Sequence, residues 1–230
     1  MLGIRKGPEP KELRVYRETT PGATYGGFRE TKAVRDQLYA DQGGLCAYCM
    51  RRVQYDPSVP KEKQAGEPDF TIEHWSAQST SDRDLHWPDM LGVCDGRLLI
   101  QGRGELSCDK ARGNTPIRLH PARDHTTIEA QFSYRSDGTL DSPGHHVDVN
   151  TTLNLNCRNL KHNRSLVFGE IVTKLGNADL TELKRQLSHW DARDQQGYRQ
   201  EYAGVATFIL RHAIKLRTQK AARLRKKPAS

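Results

Sequence analysis

Two pairs of cysteines carry the first chemical signal in this chain. Cys46 and Cys49, in "LCAYC", have two residues between them, and Cys94 and Cys108 have thirteen. A C-x2-C turn points both sulfurs inward, and four thiolates satisfy tetrahedral zinc at ~2.3 Å each. The second spacing is looser than the usual C-x2-C, so the alternative for Cys94 and Cys108 is a pair of buried inert thiols. Four thiolates leave no coordination position for water, so such an ion staples and the chemistry must come from elsewhere. Cys157 lies in a helical pattern beside Leu155 and Leu160 and reads as a packing residue. An odd total of five cysteines argues against a disulfide framework.

Glu73 and His74 lie between the thiol pairs, and Asp109 directly follows Cys108. Hydrolysing a phosphodiester near neutral pH needs a base for water and a cation for the developing charge. A neutral imidazole supplies the first, and carboxylates holding Mg2+ or Mn2+ supply the second. A His on a strand with a neighbouring carboxylate, facing a carboxylate on a helix, is enough for a one-metal nuclease. A Glu-His dipeptide alone is a weak signal, because a lone His is more often structural.

The elements that must position these groups can be read from pattern. Residues 28–41, "FRETKAVRDQLYAD", have helical character, with Val34, Leu38 and Tyr39 on one side, and the following Gly-Gly ends the helix just before Cys46. "DFTIEHW" reads as a short strand, with Phe70 and Ile72 towards one face. A polar loop with three prolines, 57–69, precedes it. Cys94 opens a glycine-rich insertion that closes at Cys108, and "CDKARGN" suits one or two turns of helix. "TIEAQFSYRSDGTLDS" alternates around an Asp-Gly turn, a hairpin signal. Three helical patterns follow. In the last, Tyr202, Val205, Ala206, Ile209, Ala213 and Leu216 make one apolar stripe.

Hydrophobic content of 35% and charged content of 28% fit a polar but folded chain of 230 residues. The net charge of +8 matters for where it lies: Arg211 to Lys227 carries eight Lys/Arg and no Asp/Glu. Such a cluster suits a polyanion, because neutralised phosphates release counterions; the plainer reading is a solvated tail. The opening residues lack an apolar stretch suited to export, and no run approaches the ~18 residues of a membrane span, so a cytoplasmic protein with no membrane partner is expected.

The order C-x2-C, "IEHW", "WPDMLGVC" and "CDKARG" resembles the HNH (ββα-metal) endonuclease superfamily in its zinc-braced form. Within it, "LCAYC", "IEHW", "MLGVC", "CDKARGN" and "TLNLNCRNLKHNR" resemble the PtuB proteins of Septu and retron anti-phage systems, a likeness reaching from the segment before Cys46 to about Arg164. The resemblance implies an α+β fold: a zinc-stapled ββα-metal core with a flanking hairpin and a mostly helical C-terminal half. The organisation expected is an extended arm (1–27), a nuclease core (28–146), a helical region (147–217) and a basic tail (218–230). It also implies structural Zn2+ on Cys46, Cys49, Cys94 and Cys108, and a catalytic Mg2+ or Mn2+ on Glu73 and Asp109. His74 would be the general base. Asp89 stands where the family has Asn, and would either orient the loop or help hold the metal. Arg112 and its neighbour Lys110 would face nucleic acid, or Arg112 would cover the zinc knuckle. The implied activity is DNA cleavage held in check by a partner ATPase (PtuA-like) in a hetero-oligomer.

Trp75 and Trp87 flank the candidate site and read as packing residues, with base stacking as the alternative. His86 is close in sequence to the site, where a second metal or phosphate contact is the alternative, but loop histidines usually do nothing so specific, and His145 and His146 read the same way. Asp89 and the basic C-terminus also motivate a different class: a zinc-stapled nucleic-acid-binding or adaptor protein without cleavage. An RNA nuclease, including one acting on transfer RNA, is the third reading.

Overall fold

The computed structural model describes residues 1–59, 70–76, 83–100, 103–176 and 178–225. The proline-bearing loop from residue 60 to 69 and the last five residues of the basic tail lie outside them. Helices and short strands are mixed, with three two-stranded antiparallel ladders among the described residues. No described helix is long and apolar enough to cross a membrane.

The N-terminal segment is not the extended arm expected for 1–27. Lys11–Thr19 form helix α1, with Glu12 in its first turn and Arg17 in its last, each complementing the helix dipole. Its charge-rich sequence buries only Leu13, which leaves too little periodicity to read. Before it, Met1, Leu2 and Ile4 are buried, and Ile4 donates its N–H to the Pro121 carbonyl at 3.0 Å. These residues belong to the core.

Helix α2, Thr31–Gln42, follows the pattern read from sequence and buries Val34, Leu38 and Tyr39. Gly43 ends it at φ 63°, a left-handed cap that glycine adopts without a Cβ penalty. Gln42, the last helical residue, ties three elements together. Its amide nitrogen donates to the carbonyls of Leu45 and Gly92, and its oxygen accepts from the Gly92 N–H, each at 2.7 Å.

Strand β1, Thr71–His74, pairs antiparallel with β2, Met90–Val93, in the register Glu73 opposite Leu91 and His74 opposite Met90. Gly92 is required here, since a Cβ on it would lie 2.2 Å from the Phe70 ring. The chain then forms the β3–β4 ladder, Arg97–Ile100 with Arg103–Leu106, and the single-turn helix α3, Cys108–Arg112. Leaving the insertion aside, the order is strand, strand, helix.

The Asp-Gly hairpin forms, but each strand is only two residues long: β5, Ser133–Tyr134, and β6, Leu140–Asp141. A 3-10 turn over Ile128–Gln131 replaces the earlier part of the alternating run. Helices α4 (Arg158–Leu175), α5 (Leu180–Asp191) and α6 (Ala203–Arg225) complete the chain, with α6 packed on both α4 and α5. Asp179 caps α5 by accepting the Glu182 N–H at 2.7 Å. The apolar stripe of α6 is buried only to Leu210; Leu216 is 53% exposed, and residues 218–225, assigned to the tail, continue the helix. One buried cluster runs from Met1 to Leu210, so the metal-rich and helical halves share a core. Cys157 is buried within it, as a packing residue would be.

Arg164 fastens α4 to the hairpin. It is 1% exposed, and its guanidinium donates to the carbonyls of Gly138 and Leu155 and to Asn156 Oδ1 at 2.7, 2.8 and 2.9 Å. Gly138 (φ 80°) lets the turn approach so closely that a Cβ there would sit 1.8 Å from the Lys161 carbonyl oxygen. Replacing Arg164 by Leu leaves these buried acceptors unpaired, and the expected loss is about 3 kcal/mol or more in urea unfolding. Lys, with no planar fork, is expected to recover less than half of it.

Candidate metal centre and candidate active site

The first thiol pair sits on a tight turn just after α2. Leu45 bridges Arg52, Cys46 donates its N–H to the Arg51 carbonyl at 2.9 Å, and Met50 returns an N–H to the Cys46 carbonyl at 3.1 Å. Ala47, inside the turn, donates to the Gly92 carbonyl at 3.0 Å, which seats the knuckle against β2. Cys94 immediately follows β2. Cys108 opens α3 at φ 53°, with its N–H on the Leu153 carbonyl at 2.8 Å.

The long gap between Cys94 and Cys108 closes on itself. Ser107 donates its N–H to the Gly96 carbonyl at 2.8 Å, and Gly96 (φ 67°) permits this because a Cβ there would lie 2.1 Å from the Ser107 oxygen. The β3–β4 excursion is thereby pinched off, and the two thiols meet as if their spacing were short. Sequence spacing alone does not show that closure, but the glycine two residues after Cys94 is its trace.

All four thiols are buried, with their sulfurs within 4.8 Å of one another. Cys46 to Cys108 and Cys49 to Cys94 are both 3.8 Å. A tetrahedron with metal–sulfur bonds of ~2.3 Å has edges of ~3.8 Å, so the thiols match the ligand shell of zinc. The four thiols share protons unequally. Burial pushes the Cys46 thiol up, but hydrogen bonds from the other three carry it well below the usual value, while Cys108 is driven well above by those same neighbours. Were all four ionised, sulfurs this close would need a cation among them. The four cysteines could hold zinc, and among the described residues they form the only such cluster.

Glu73 and Asp109 meet beside this frame. Glu73 is 6% exposed and accepts from Tyr48 Oη at 3.2 Å; Tyr48 is the residue before Cys49 in the knuckle. Burial raises the Glu73 carboxyl to about 8, reinforced by the charge of Asp109 and a hydrogen bond with it, and opposed by Arg112. Sequence reading had placed Arg112 against nucleic acid or over the knuckle. Its side chain turns inward instead, 3% exposed, pairing with Glu73 and donating to the carbonyls of Thr115, His74 and Trp75. Those bonds use four of its five N–H groups. Lys110, on the same short helix, is exposed.

His74 is 8% exposed, with its ring edge-on to Tyr25 at 4.4 Å between centroids. Burial lowers its pKa, which a hydrogen bond with the Asp84 backbone and the charges of Asp84 and Asp109 oppose. Burial thus favours the neutral imidazole. Tyr25 also gives its N–H to Asp84 Oδ2 at 2.7 Å, so the N-terminal segment holds both the ring and the loop that orients it. Nothing in sequence spacing pointed to Tyr25 or Asp84.

Asp89 is placed apart from this group. Its side chain, 3% exposed, is surrounded by Arg83, His86, His120 and Arg123 at 3.1–3.5 Å, and not by Glu73 or Asp109. Its backbone carbonyl accepts the Trp75 N–H at 2.9 Å and so continues the β1–β2 pairing. Both tryptophans are anchored as packing residues: Trp75 Nε1 donates to the Leu119 carbonyl at 2.9 Å, and Trp87 Nε1 to that of Gly7 at 3.1 Å. His145 bonds Gln131 at 2.8 Å, and His146 is exposed on the same turn.

The chain was compared with family models and with curated proteins. It matches none of either. Elemental analysis of the purified chain is expected to give one zinc per chain, and Cys49→Ser or Cys108→Ser to lose the zinc and lower the unfolding temperature together. A stable, zinc-free wild-type chain would contradict the cysteine assignment.

Proposed function

We propose that this chain is a divalent-metal-dependent endonuclease of the HNH kind that hydrolyses DNA phosphodiesters. The observation that carries the reading is the Glu73–Asp109 carboxylate pair, with the backbone-oriented His74 next to Glu73 on β1 and under the influence of the Asp109 charge, in a strand–strand–helix unit framed by four thiols. Two carboxylates sharing a buried space need a proton or a cation between them, and Arg112 offsets only one of the two charges. In this reading Glu73 and Asp109 would be the protein ligands of Mg2+ or Mn2+, which would neutralise charge on the phosphate and the leaving oxygen. His74, its ring fixed by Tyr25 and Asp84, takes the proton from the attacking water. Arg112 fixes the Glu73 carboxylate, and Tyr48 ties it to the knuckle.

His74→Ala is expected to lower Mg2+- or Mn2+-dependent nicking of plasmid DNA by roughly 10²–10⁴-fold without changing zinc content. Unchanged nicking in that variant would remove the catalytic assignment.

A second reading, a zinc-stapled nucleic-acid-binding or adaptor protein, is favoured by the Arg112 bond to Glu73, which already engages one carboxylate oxygen. It gives the protein no use for a second divalent ion. The leading reading extends to an anti-phage effector controlled by a PtuA-like ATPase. Exposed apolar side chains on the helical half, Leu166, Val172 and Leu216, support association there. Co-elution of the full chain with such an ATPase on size exclusion is the expected outcome, and separate elution at micromolar concentrations would count against it.

A further inference from the structure

We propose that the C-terminal half of α6, with Lys215, Lys220 and Arg223 on one side of the helix, is a docking face for the phosphate backbone of double-stranded DNA. The inference does not depend on the chemistry at His74, and it holds whether the chain cleaves DNA or only binds it. From Arg211 to Arg223 the helix carries five Lys/Arg and no Asp/Glu. In sequence this cluster reads either as a polyanion site or as a solvated tail. The fold gives it a shape, because α6 runs as one helix from Ala203 to Arg225.

Contacts within the protein sort these cations into two kinds. Arg211 is engaged internally, with Glu129 at 2.5 Å and Asp191 at 3.5 Å. Arg217 Nη2 donates at 2.8 Å to the carbonyl of Leu175, the last residue of α4, where a cation meets the negative end of that helix. Lys215, Lys220 and Arg223 are exposed, and among the described residues none of the three pairs with a carboxylate. At about 100° per residue they fall within an arc of about 140°, over ~12 Å of helix. Arg217, Lys220 and Arg223 also follow one another at three-residue steps, so like charges repel along the helix. A polyanion laid against the arc relieves that repulsion and releases its own counterions.

The arc begins at a cleft. α6 and the 125–132 segment enclose about 560 Å3, and Lys215 and His212 line it from the helix while His125 lines it from the other side. A phosphate at this inner end would meet Lys215 against a concave wall, and the next phosphates would run outward towards Arg223 and Lys220. Leu216 is the one large apolar side chain exposed on the stretch among the described residues. The cores of protein–protein interfaces are apolar and poor in Lys, so the arc fits a phosphate backbone better than a protein surface. Cations that hold phosphates position a duplex without reading its sequence.

The test uses the full chain carrying His74→Ala, so that binding is read without cleavage. A fluorescein-labelled 20-bp DNA duplex is titrated by anisotropy at a series of KCl concentrations. Lys215→Gln with Lys220→Gln and Arg223→Gln is expected to reduce the slope of log K against log salt by about 2.7, at ~0.9 per phosphate contact. Binding at 100 mM KCl should fall at least tenfold. Gln has a helix propensity close to that of Lys and Arg, so circular dichroism should show α6 retained. A charge-matched control on exposed positions elsewhere, Lys11→Gln with Arg135→Gln and Lys184→Gln, should leave the slope as it was. If the triple variant loses helix, Lys220→Gln alone decides the matter with a slope change of about 0.9. Slopes equal to those of the control, or no binding of the duplex at 50 mM KCl, would overturn the face. A labelled deca-glutamate peptide is titrated in parallel: its loss from the triple variant with DNA binding unchanged would overturn the DNA assignment in favour of an acidic protein. Nicking is scored separately with His74 present: its absence alongside face-dependent binding would remove the endonuclease reading and leave the face standing.

Discussion

Four sulfurs meeting at tetrahedral spacing are the constraint on which the rest of this site depends. One pair comes from a turn after α2, one sulfur from the end of β2 and one from the first residue of α3. These are short elements, none able to bury enough apolar surface to hold its own position. Drawing their ends together fixes β2 against α3, and β1 follows because it is hydrogen-bonded to β2. Glu73 thereby arrives next to Asp109, which is chained directly to Cys108. Gln42 serves the same end without a metal, pinning helix, knuckle and strand with three short hydrogen bonds.

Around that frame the charges are sorted into two groups. On one side Glu73 and Asp109 crowd each other, and Arg112 spends most of its donors holding Glu73 and the backbone in place. On the other, Asp89 is outnumbered by basic groups. His74, next to Glu73 on β1, is buried, edge-on to Tyr25 and oriented by the Asp84 backbone.

Much of this was legible from residues. The thiols, the strand ending in Glu-His, the helix ahead of the knuckle and the three later helices all have local signatures: spacing, alternation, caps and 3.6-residue periodicity. What stayed hidden depends on contacts distant in sequence. α1 has one buried side chain and too much charge to show a face. The inward turn of Arg112 follows from carbonyls that only the folded β1 presents. The position of Asp89 gave no hint that Arg123, thirty-four residues later, would reach it. The apolar pattern of α6 was read too far, because Leu216 continues the stripe but outlasts the neighbours that could cover it.

The most direct test of the central claim is anomalous diffraction from crystals soaked in Mn2+, with data collected at the zinc and manganese edges. The account predicts a zinc peak amid Cys46, Cys49, Cys94 and Cys108, and a separate manganese peak between Glu73 and Asp109 on the His74 side. Manganese lying elsewhere, or sulfurs without zinc, would contradict it.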